Sequence, residues 1–241
     1  NKIQLYCNQV FVTDQVEGVV PDYLMLLHGV LDSPDIPLNV SRSYLQSDGN
    51  VKKISQHISK KVADKLEEMS KKRDGEEKSA LEDKWDDIKI FVQYGMLTDE
   101  KFCERAMKFY LLKGVDGTYY TLDSYREKIK ALQTDKDKTV CYLYASDAEE
   151  EHAYIEKAKA KGYDVLLMDS PLESHFINLL EQKIEKTRFV RVDSDTVEKL
   201  IPHDDNIPEK LTKEEKEKLQ PIIEGEIDKQ KFTVQLESLE S

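Results

Sequence analysis

Cysteine is scarce in this sequence, which has only Cys7, Cys103 and Cys141. They are odd in number, far apart and without a C-x-x-C pair, so they indicate neither a disulfide framework nor a zinc site. Long hydrophobic runs are also missing. None approaches the roughly 20 residues of a membrane-spanning helix, and no charged and then apolar leader opens the chain. We therefore expect a cytoplasmic protein with no membrane contact and no bound metal.

Positive charge is in deficit as well. The chain has 36 Lys and Arg against 48 Asp and Glu, which gives a net charge of −12 at pH 7. No stripe of basic residues interleaved with aromatics appears, although a protein that binds a phosphate backbone needs one. We therefore expect no nucleic acid among the partners. The length of 241 residues and the 39% of hydrophobic residues allow one or two compact domains with a sizeable core.

Both ends of the sequence alternate apolar and polar residues in the manner of strands, over 2–7 and 232–236. Nothing follows the second of these segments that it could pair against. We therefore interpret the chain as a fragment of a longer protein.

The first part of the chain is predicted to begin with strands and to continue with helices. Alternation over Ile3–Phe11 indicates one or two strands, and Pro21–Leu27 indicates a short apolar helix or buried turn. Apolar residues at three- or four-residue spacing then predict a long amphipathic helix. They are Val51, Ile54, Ile58, Val62, Leu66 and Met69, and a further helix has its core face at Trp85, Ile88, Phe91 and Val92.

Capping residues predict where the next elements begin and end. Thr98 is the expected N-cap of another helix, and Gly114 its expected end. Its inward-facing side chains would be Phe102, Ala106 and Phe109. A brief strand over 118–122 would then precede a helix capped by Asp123 or Ser124.

From Thr139 onward the pattern becomes strand, helix, strand, helix, strand. The three strands are predicted over 140–144, 163–168 and 188–192. The expected helix signals are capping boxes of Ser146 with Glu149 and of Ser170 with Glu173, Pro171 at a first helical position, and Gly162 as a stop. Right-handed crossovers would join the strands into a small parallel sheet covered by helices.

A parallel sheet of this kind raises the alternative of an independent nucleotide-binding enzyme. The first strand–helix turn, 145–147, has neither a G-x-G-x-x-G nor a G-x-x-x-x-G-K-[ST] pattern, and its acidic start would repel a phosphate. No G-x-S-x-G or H-E-x-x-H motif appears either. The sequence favours a packing or docking unit without a cofactor, and the independent enzyme remains the alternative.

One loop combines a rigid bend with an arginine at the entrance of the long amphipathic helix. It reads Asp-Ile-Pro-Leu-Asn-Val-Ser-Arg-Ser-Tyr-Leu-Gln over 35–46. Pro37 fixes φ near −65°, so Arg42 should project from a shaped loop. Its planar guanidinium suits a phosphate or carboxylate, and Asn39 and Gln46 flank it as uncharged hydrogen-bonding residues. By itself, an arginine at a helix start is more often a surface ion-pair partner.

This loop resembles the catalytic loop in the middle domain of the ninety-kilodalton heat-shock chaperone family, of the bacterial HtpG type. The family pattern is Leu-Pro-Leu-Asn-(Ile/Leu/Val)-Ser-Arg-Glu-x-Leu-Gln, and the matching residues are Pro37, Leu38, Asn39, Ser41, Arg42, Leu45 and Gln46. Ile36 replaces the usual Leu, and Ser43 replaces the usual Glu. The resemblance extends over 5–14, 21–24, 29–33 and 51–54.

The resemblance implies an α/β (mixed α+β) fold in which two layered α/β subdomains are joined by a small helical connector. Residues 1–72, with the catalytic loop 35–46, would form the first α/β subdomain, and 73–132 the connector. Residues 133–203 would form the second α/β subdomain, with its short parallel sheet. Residues 204–241 would be a linker and the start of a C-terminal dimerisation domain.

The resemblance also implies a chaperone whose ATP and Mg²⁺ are bound by its own N-terminal domain, which this sequence does not contain. Arg42 would reach the ATP γ-phosphate when the domains close, with Gln46 and Asn39 ordering the loop. The fragment alone should then show no ATPase activity. The full-length protein should be a homodimer that binds unfolded or partly folded clients, whereas the fragment should be a monomer.

A second, weaker implication concerns the helix after Pro171. Ser174, His175 and Asn178 lie three or four residues apart and can share one face, with Phe176 and Leu179 turned elsewhere. The corresponding segment of the family has been linked to client binding, although the aromatic residue expected near His175 is missing. The alternatives are a helix with one polar side and no client role, or a client-binding scaffold in which Arg42 has no part in hydrolysis.

Overall fold

A computed structural model of the chain describes residues 3–14, 16, 18–25, 29–32, 34, 49–72, 75 and 77–203. The strands are β1 (Ile3–Cys7), β2 (Val10–Thr13), β3 (Gly29–Asp32), β4 (Leu111–Lys113), β5 (Tyr119–Thr121), β6 (Val140–Ala145), β7 (Val165–Leu167) and β8 (Thr187–Arg191). The helices are α1 (Gly49–Ser70), α2 (Trp85–Thr98), α3 (Glu100–Ala106), α4 (Leu122–Ile129), α5 (His152–Ala160), α6 (Glu173–Lys183) and α7 (Val197–Leu200). Short 3₁₀ helices cover Asp22–Leu24 and Glu82–Lys84.

The opening strands form a three-stranded sheet in the order β2-β1-β3. β1 pairs antiparallel with β2 and parallel with β3, which confirms the strands predicted over Ile3–Phe11. Asn8 and Gln9 have φ values of 47° and 67°, so the turn between β1 and β2 uses the left-handed region. The apolar segment that begins at Pro21 contains a single 3₁₀ turn, Asp22–Leu24.

The long amphipathic helix is confirmed as α1, and its apolar face covers the core. Val51 is fully buried, and the other five apolar residues of the predicted stripe are partly buried against the same core cluster. Of the two helices after it, α3 packs against α1, and α2 packs against α3. Their inward-facing aromatic side chains include Trp85, Phe102 and, just beyond α3, Phe109, all buried as predicted.

Two of the predicted caps in this region are wrong. Thr98 is the last residue of α2, and its hydroxyl donates to the carbonyl oxygen of Tyr94 at 2.8 Å. Asp99 is the N-cap of α3, because its backbone is extended and its carboxylate accepts from the backbone N–H of Phe102 at 3.0 Å. Likewise, Thr121 and not Asp123 or Ser124 caps α4, accepting from the N–H of Ser124 at 3.1 Å.

Gly114 does not end a helix, because α3 stops at Ala106 and the chain then enters strand β4. β4 pairs antiparallel with β5, which confirms the predicted brief strand. The N–H of Gly114 donates to the carbonyl oxygen of Thr118 at 2.8 Å and so closes the turn between these two strands.

The region after Thr139 folds into the predicted parallel sheet, with strand order β7-β6-β8. α5 and α6 occupy the two crossovers. Gly162 ends α5 as predicted, with a φ of 80°. The N–H of Gly162 donates to the carbonyl of Lys159, and that of Tyr163 to the carbonyl of Ala158, which is a Schellman motif.

The two predicted capping boxes in this sheet are wrong. α5 begins at His152 and not after Ser146, because the Asp147 carboxylate accepts from the N–H groups of Glu149 and Glu150 and holds 147–151 as a turn. α6 begins at Glu173, so Ser170 and Pro171 lie in the turn before it. The Glu173 side chain is buried, and it accepts hydrogen bonds from Gln93 on a neighbouring helix and from the backbone of Ser170.

Both faces of the parallel sheet are covered, because alternate side chains along β6 belong to two different core clusters. Val140 and Tyr142 belong to a large core cluster that runs from β1 through α2 to α6. Cys141, Leu143 and Ala145 belong to a second cluster with α5 and α7. The predicted mixed α/β fold with a short parallel βαβαβ unit is thereby confirmed, while the domain boundaries at 72, 132 and 203 stay predictions. No helix among the described residues is long and apolar enough to cross a membrane.

Candidate functional site

The predicted catalytic residues lie outside the part of the chain that the structure describes. This holds for the whole loop 35–46 and so for Asn39, Arg42 and Gln46. The described chain resumes at Gly49 with helix α1, which directly follows the loop in sequence. The first turns of α1 are therefore the described surface closest in sequence to Arg42.

A groove of about 780 Å³ lies along this end of α1, between α1, the first 3₁₀ turn and the start of α3. Polar side chains at the bottom of this groove are joined by hydrogen bonds. The hydroxyl groups of Tyr23 and Ser59 are 2.9 Å apart, and Ser59 donates to Asp99 Oδ2 at 3.0 Å. Burial raises the pKa of Tyr23 to about 12, so its phenol stays protonated.

Both basic and acidic side chains line this groove, and the acidic ones are Asp22, Asp99 and Glu100. The basic ones include Lys53, Lys60, Lys101 and Arg105. The negative charge of Asp99 is already held by Ser59 and by the N–H of Phe102. The groove thus offers hydrogen-bond donors and basic side chains on the described surface that is closest in sequence to the predicted loop. The sequence analysis missed it, although Lys53, His57 and Lys60 recur at three- or four-residue spacing on the polar side of α1.

The predicted client-binding residues share the exposed side of α6. Ser174, His175 and Asn178 are all exposed, whereas Phe176 and Leu180 are buried. Leu179 is partly buried against the core. The arrangement is the one that 3.6-residue spacing predicts, and it leaves the polar side chains free to contact another molecule.

A buried polar cluster lies beneath this exposed face. Gln93 on α2 donates from Nε2 to Glu173 Oε2 at 2.9 Å and to the hydroxyl of Tyr110 at 3.0 Å. Gln93 Oε1 accepts from the hydroxyl of Ser170 at 2.6 Å. Burial raises the pKa of Glu173 to about 7, against the attraction of Lys89 and the hydrogen bond from Gln93.

The sequence analysis missed this cluster, since it assigned Glu173 to a capping box and did not single out Gln93. A signal was present nonetheless. Gln93 falls between Val92 and Met96 on the apolar face of α2, and a polar residue at such a position needs buried partners.

The turn at the end of β6 bears on the nucleotide-binding alternative. The N–H groups of Ser146 and Asp147 donate to Glu151 Oε1 at 2.9 and 3.2 Å. Arg191 lies 3.7 Å from the same oxygen. Because the chain's own carboxylate occupies these donors, a phosphate would have to displace it. The turn thus favours a packing or docking unit. Across the described residues, no group of three or more His, Cys, Asp or Glu is placed to hold a metal ion.

Comparison with known proteins gives consistent results along the chain. The family model described as "Hsp90 protein" matches residues 1–238. A chaperone protein HtpG of Porphyromonas gingivalis is 56% identical over 242 residues, covering 99% of this chain and 35% of the relative. A chaperone protein htpG of Bacteroides fragilis is 55% identical over the same shares. The chain thus spans about a third of the length of these curated relatives.

A solved structure shares the fold. It is described as the middle domain of a putative heat shock protein of Plasmodium falciparum, and it matches with a TM-score of 0.57 at 20% identity. The match covers 79% of this chain and 72% of that one. The family assignment itself rests on the match over residues 1–238, which confirms the resemblance seen in the sequence. This chain belongs to the Hsp90 protein family.

Proposed function

We propose that this chain is the middle region, with the start of the C-terminal domain, of an ATP-dependent chaperone of the HtpG type. The observation that carries the proposal is the family match over residues 1–238 together with relatives named HtpG at 55–56% identity. The likeness of the fold to an Hsp90-type middle domain supports the same position within the longer protein. In the full-length homodimer, the chain would help to fold or remodel client proteins.

Arg42 is proposed to contribute to ATP hydrolysis. A guanidinium is permanently charged and can donate two parallel hydrogen bonds, so it stabilises the negative charge that develops on the phosphoryl oxygens. In a closed conformation Arg42 would reach the γ-phosphate bound by the N-terminal domain, with Asn39 and Gln46 ordering the loop. Lys53 and Lys60 on α1 support this proposal, because they add positive charge to the part of the described surface that is closest in sequence to Arg42.

ATP and Mg²⁺ belong to the N-terminal domain in this proposal. Bound there, Mg²⁺ would neutralise phosphate charge during transfer. The chain described here would hold no nucleotide by itself and would show no ATPase activity alone.

The test is the Arg42→Ala variant of the full-length protein. We expect ATP turnover to fall by about tenfold or more, because an arginine finger contributes on the order of 10³-fold or more to such rates. Nucleotide affinity should stay nearly unchanged. Arg188→Ala is the matched control, since it removes a half-exposed arginine on β8 whose carboxylate partner, Asp135, is 3.8 Å away. Equal turnover in the Arg42→Ala variant and the wild type would reject the role.

The second candidate function is a client-binding scaffold with no role in hydrolysis. The exposed side of α6 favours it, because Ser174, His175 and Asn178 point to solvent while the helix is anchored by Phe176. The two candidates predict different results for client binding and for ATP turnover. A double variant His175→Ala/Asn178→Ala that weakens client binding, with Arg42→Ala having no effect on turnover, would establish the scaffold. Unchanged client binding in the double variant, together with lower ATP turnover in Arg42→Ala, would establish the role in hydrolysis.

A further inference from the structure

Glu173 is one of two buried acidic residues in the part of the chain that the structure describes, with 8% of its surface exposed against 6% for Glu151. Glu173 lies in the first turn of α6 and faces α2 instead of solvent. Its hydrogen-bond partner Gln93 is completely buried. A carboxylate in such a place loses most of its hydration, so its charged form is costly unless it is well paired.

The groups that face Glu173 compensate an ionised carboxylate only in part. From α2, Gln93 donates one hydrogen bond, and the ammonium group of Lys89 lies close enough to attract the charge. However, Lys89 Nζ is already bound to Asp169 at 2.6 Å. Asp169 itself repels a negative charge on Glu173.

The remaining titratable neighbours are two phenols, which carry no charge near pH 7. The phenol of Tyr110 lies beyond the end of α3, and Tyr144 lies on β6. The pKa values of both are raised by burial and also by the Glu173 carboxylate. Ser170 contributes a backbone hydrogen bond that favours the ionised form. On balance, burial outweighs these favourable contacts and raises the pKa of Glu173 to about 7.

The location of the Glu173 carboxylate determines which contacts its ionisation would disturb. Gln93 joins α2 to the turn before α6 through Ser170, to α6 through Glu173 and to the end of α3 through Tyr110. It is therefore the polar contact that fixes the first turn of α6 on α2. The apolar residues after the first turn of α6 keep the rest of the helix in place without this contact.

We propose that the Gln93–Glu173 junction is a proton-sensitive latch that docks the first turn of α6 on α2 when Glu173 is protonated and releases it when Glu173 ionises. In the released state the carboxylate takes water or Lys89 as its partner, and Lys89 leaves Asp169. The exposed residues Ser174 and His175 follow directly on the latch, so they are presented in two different positions. Any effect on client binding rests on the proposed function of that face, whereas the latch itself does not.

The chain contains its own reporter of this junction. Trp85 is the single tryptophan, it is completely buried, and its ring meets that of Tyr110 edge-on with centroids 4.9 Å apart. Because Tyr110 accepts a hydrogen bond from Gln93, any rearrangement of Gln93 alters the surroundings of Trp85. Its fluorescence can therefore be followed without a label.

The experiment is a titration of Trp85 fluorescence between pH 5 and 9 on the whole 241-residue chain. Far-UV circular dichroism, recorded at each step, shows where the fold is intact. We expect a sigmoidal change in emission with its midpoint near pH 7, while the circular dichroism stays constant. Glu173→Gln should abolish the change and keep the low-pH spectrum. Glu185→Gln, an exposed carboxylate just after α6, is the matched control and should titrate like the wild type.

Two further measurements keep the proposal falsifiable. His175→Gln removes the neighbouring imidazole, and a fluorescence change lost in that variant but kept in Glu173→Gln would overturn the latch. If Glu173→Gln does not fold, the carboxyl carbon of Glu173 can be titrated directly by NMR in the wild-type chain. A midpoint near the ordinary value for glutamate, or an emission spectrum that does not change with pH in the folded range, would also overturn it.

Discussion

Phe176 on α6 packs against Tyr110, which follows α3, with the ring centroids 4.6 Å apart and the ring planes tilted by 36°. Both rings are almost fully buried. This contact joins the helical part of the chain to the helix that covers the parallel sheet. It also decides the orientation of α6, since anchoring Phe176 inwards turns the neighbouring His175 towards solvent.

The first prediction compares these two adjacent positions. Phe176→Ala should lower the free energy of unfolding by about 3–5 kcal/mol, because it removes a fully buried ring and leaves a cavity. His175→Ala should change it by less than about 0.5 kcal/mol, because that side chain is exposed. Urea denaturation followed by circular dichroism measures both. Similar losses in the two variants would contradict the assigned faces of α6.

The second prediction concerns Gly95 on α2, which lies against two aromatic rings. A Cβ atom there would be 2.8 Å from Cε1 of Phe102 and 3.0 Å from Cδ2 of Tyr23. Those rings are buried and packed on each other, with centroids 4.6 Å apart, so moving either ring away from the new Cβ atom disturbs the contact between them. Gly95→Ala gains about 1 kcal/mol of helix propensity but should lose about 1–3 kcal/mol to overpacking.

The control for this prediction is Gly49→Ala at the start of α1. No atom of the residues that the structure describes lies within 4 Å of a Cβ atom placed at that position. This variant should therefore be neutral or more stable by up to about 1 kcal/mol. Thermal unfolding measures the stability of both variants. A Gly95→Ala protein that is more stable than the wild type would show that the rings of Phe102 and Tyr23 move to accommodate the new Cβ atom.

The sequence predicted elements better than it predicted their ends. Periodicity located α1 and the three parallel strands because burial along them repeats at 3.6 or 2 residues, and that repeat is visible in one segment alone. The N-caps were misplaced at Thr98, Ser146 and Ser170. Several polar residues stood within reach at each of these sites, and the choice between them depended on tertiary contacts.

Local patterns indicate that Gln93 needs buried partners, but they could not predict the members of the buried cluster around it. Its two principal members, Gln93 and Glu173, are separated by 80 residues in sequence. The family resemblance predicted a catalytic loop from a short motif, and it indicated the exposed residues of α6 through the corresponding segment of the family. A contact made only in the folded chain leaves no such motif, and an acidic residue after Ser-Pro reads as an ordinary helix start.

The third prediction tests the corrected cap of α3. Asp99→Ala removes the acceptor of the Phe102 N–H and of the Ser59 hydroxyl, each at 3.0 Å. It should cost about 1–3 kcal/mol of stability, since a cap is lost and a buried hydroxyl loses its partner. Thr98→Ala is the matched control. Its hydroxyl only donates back within α2, so the change should stay within about 0.5 kcal/mol. Chemical denaturation of the two variants in parallel gives the comparison, and a larger loss in Thr98→Ala would restore Thr98 as the cap.

The last prediction is the pH dependence of stability that follows from Glu173. Its pKa is about 7 in the folded chain and 4.5 for the ordinary group, so between these values the unfolded chain has released a proton that the folded chain retains. Stability from this group is therefore fully present below about pH 4.5 and is lost as the pH rises through about 7. At about 1.4 kcal/mol per pKa unit, the loss between pH 5.5 and 8 should be about 2 kcal/mol.

Glu173→Gln removes this titration. The stability of this variant relative to the wild type should therefore rise by about 2 kcal/mol between pH 5.5 and 8. The other carboxylates are common to both proteins and cancel in the comparison. Glu185→Gln should follow the wild type, because its side chain is exposed. Guanidinium denaturation at both pH values supplies the two differences. A difference between Glu173→Gln and the wild type that is the same at pH 5.5 and 8 would mean that Glu173 ionises at its ordinary pKa and that its burial is relieved by solvent.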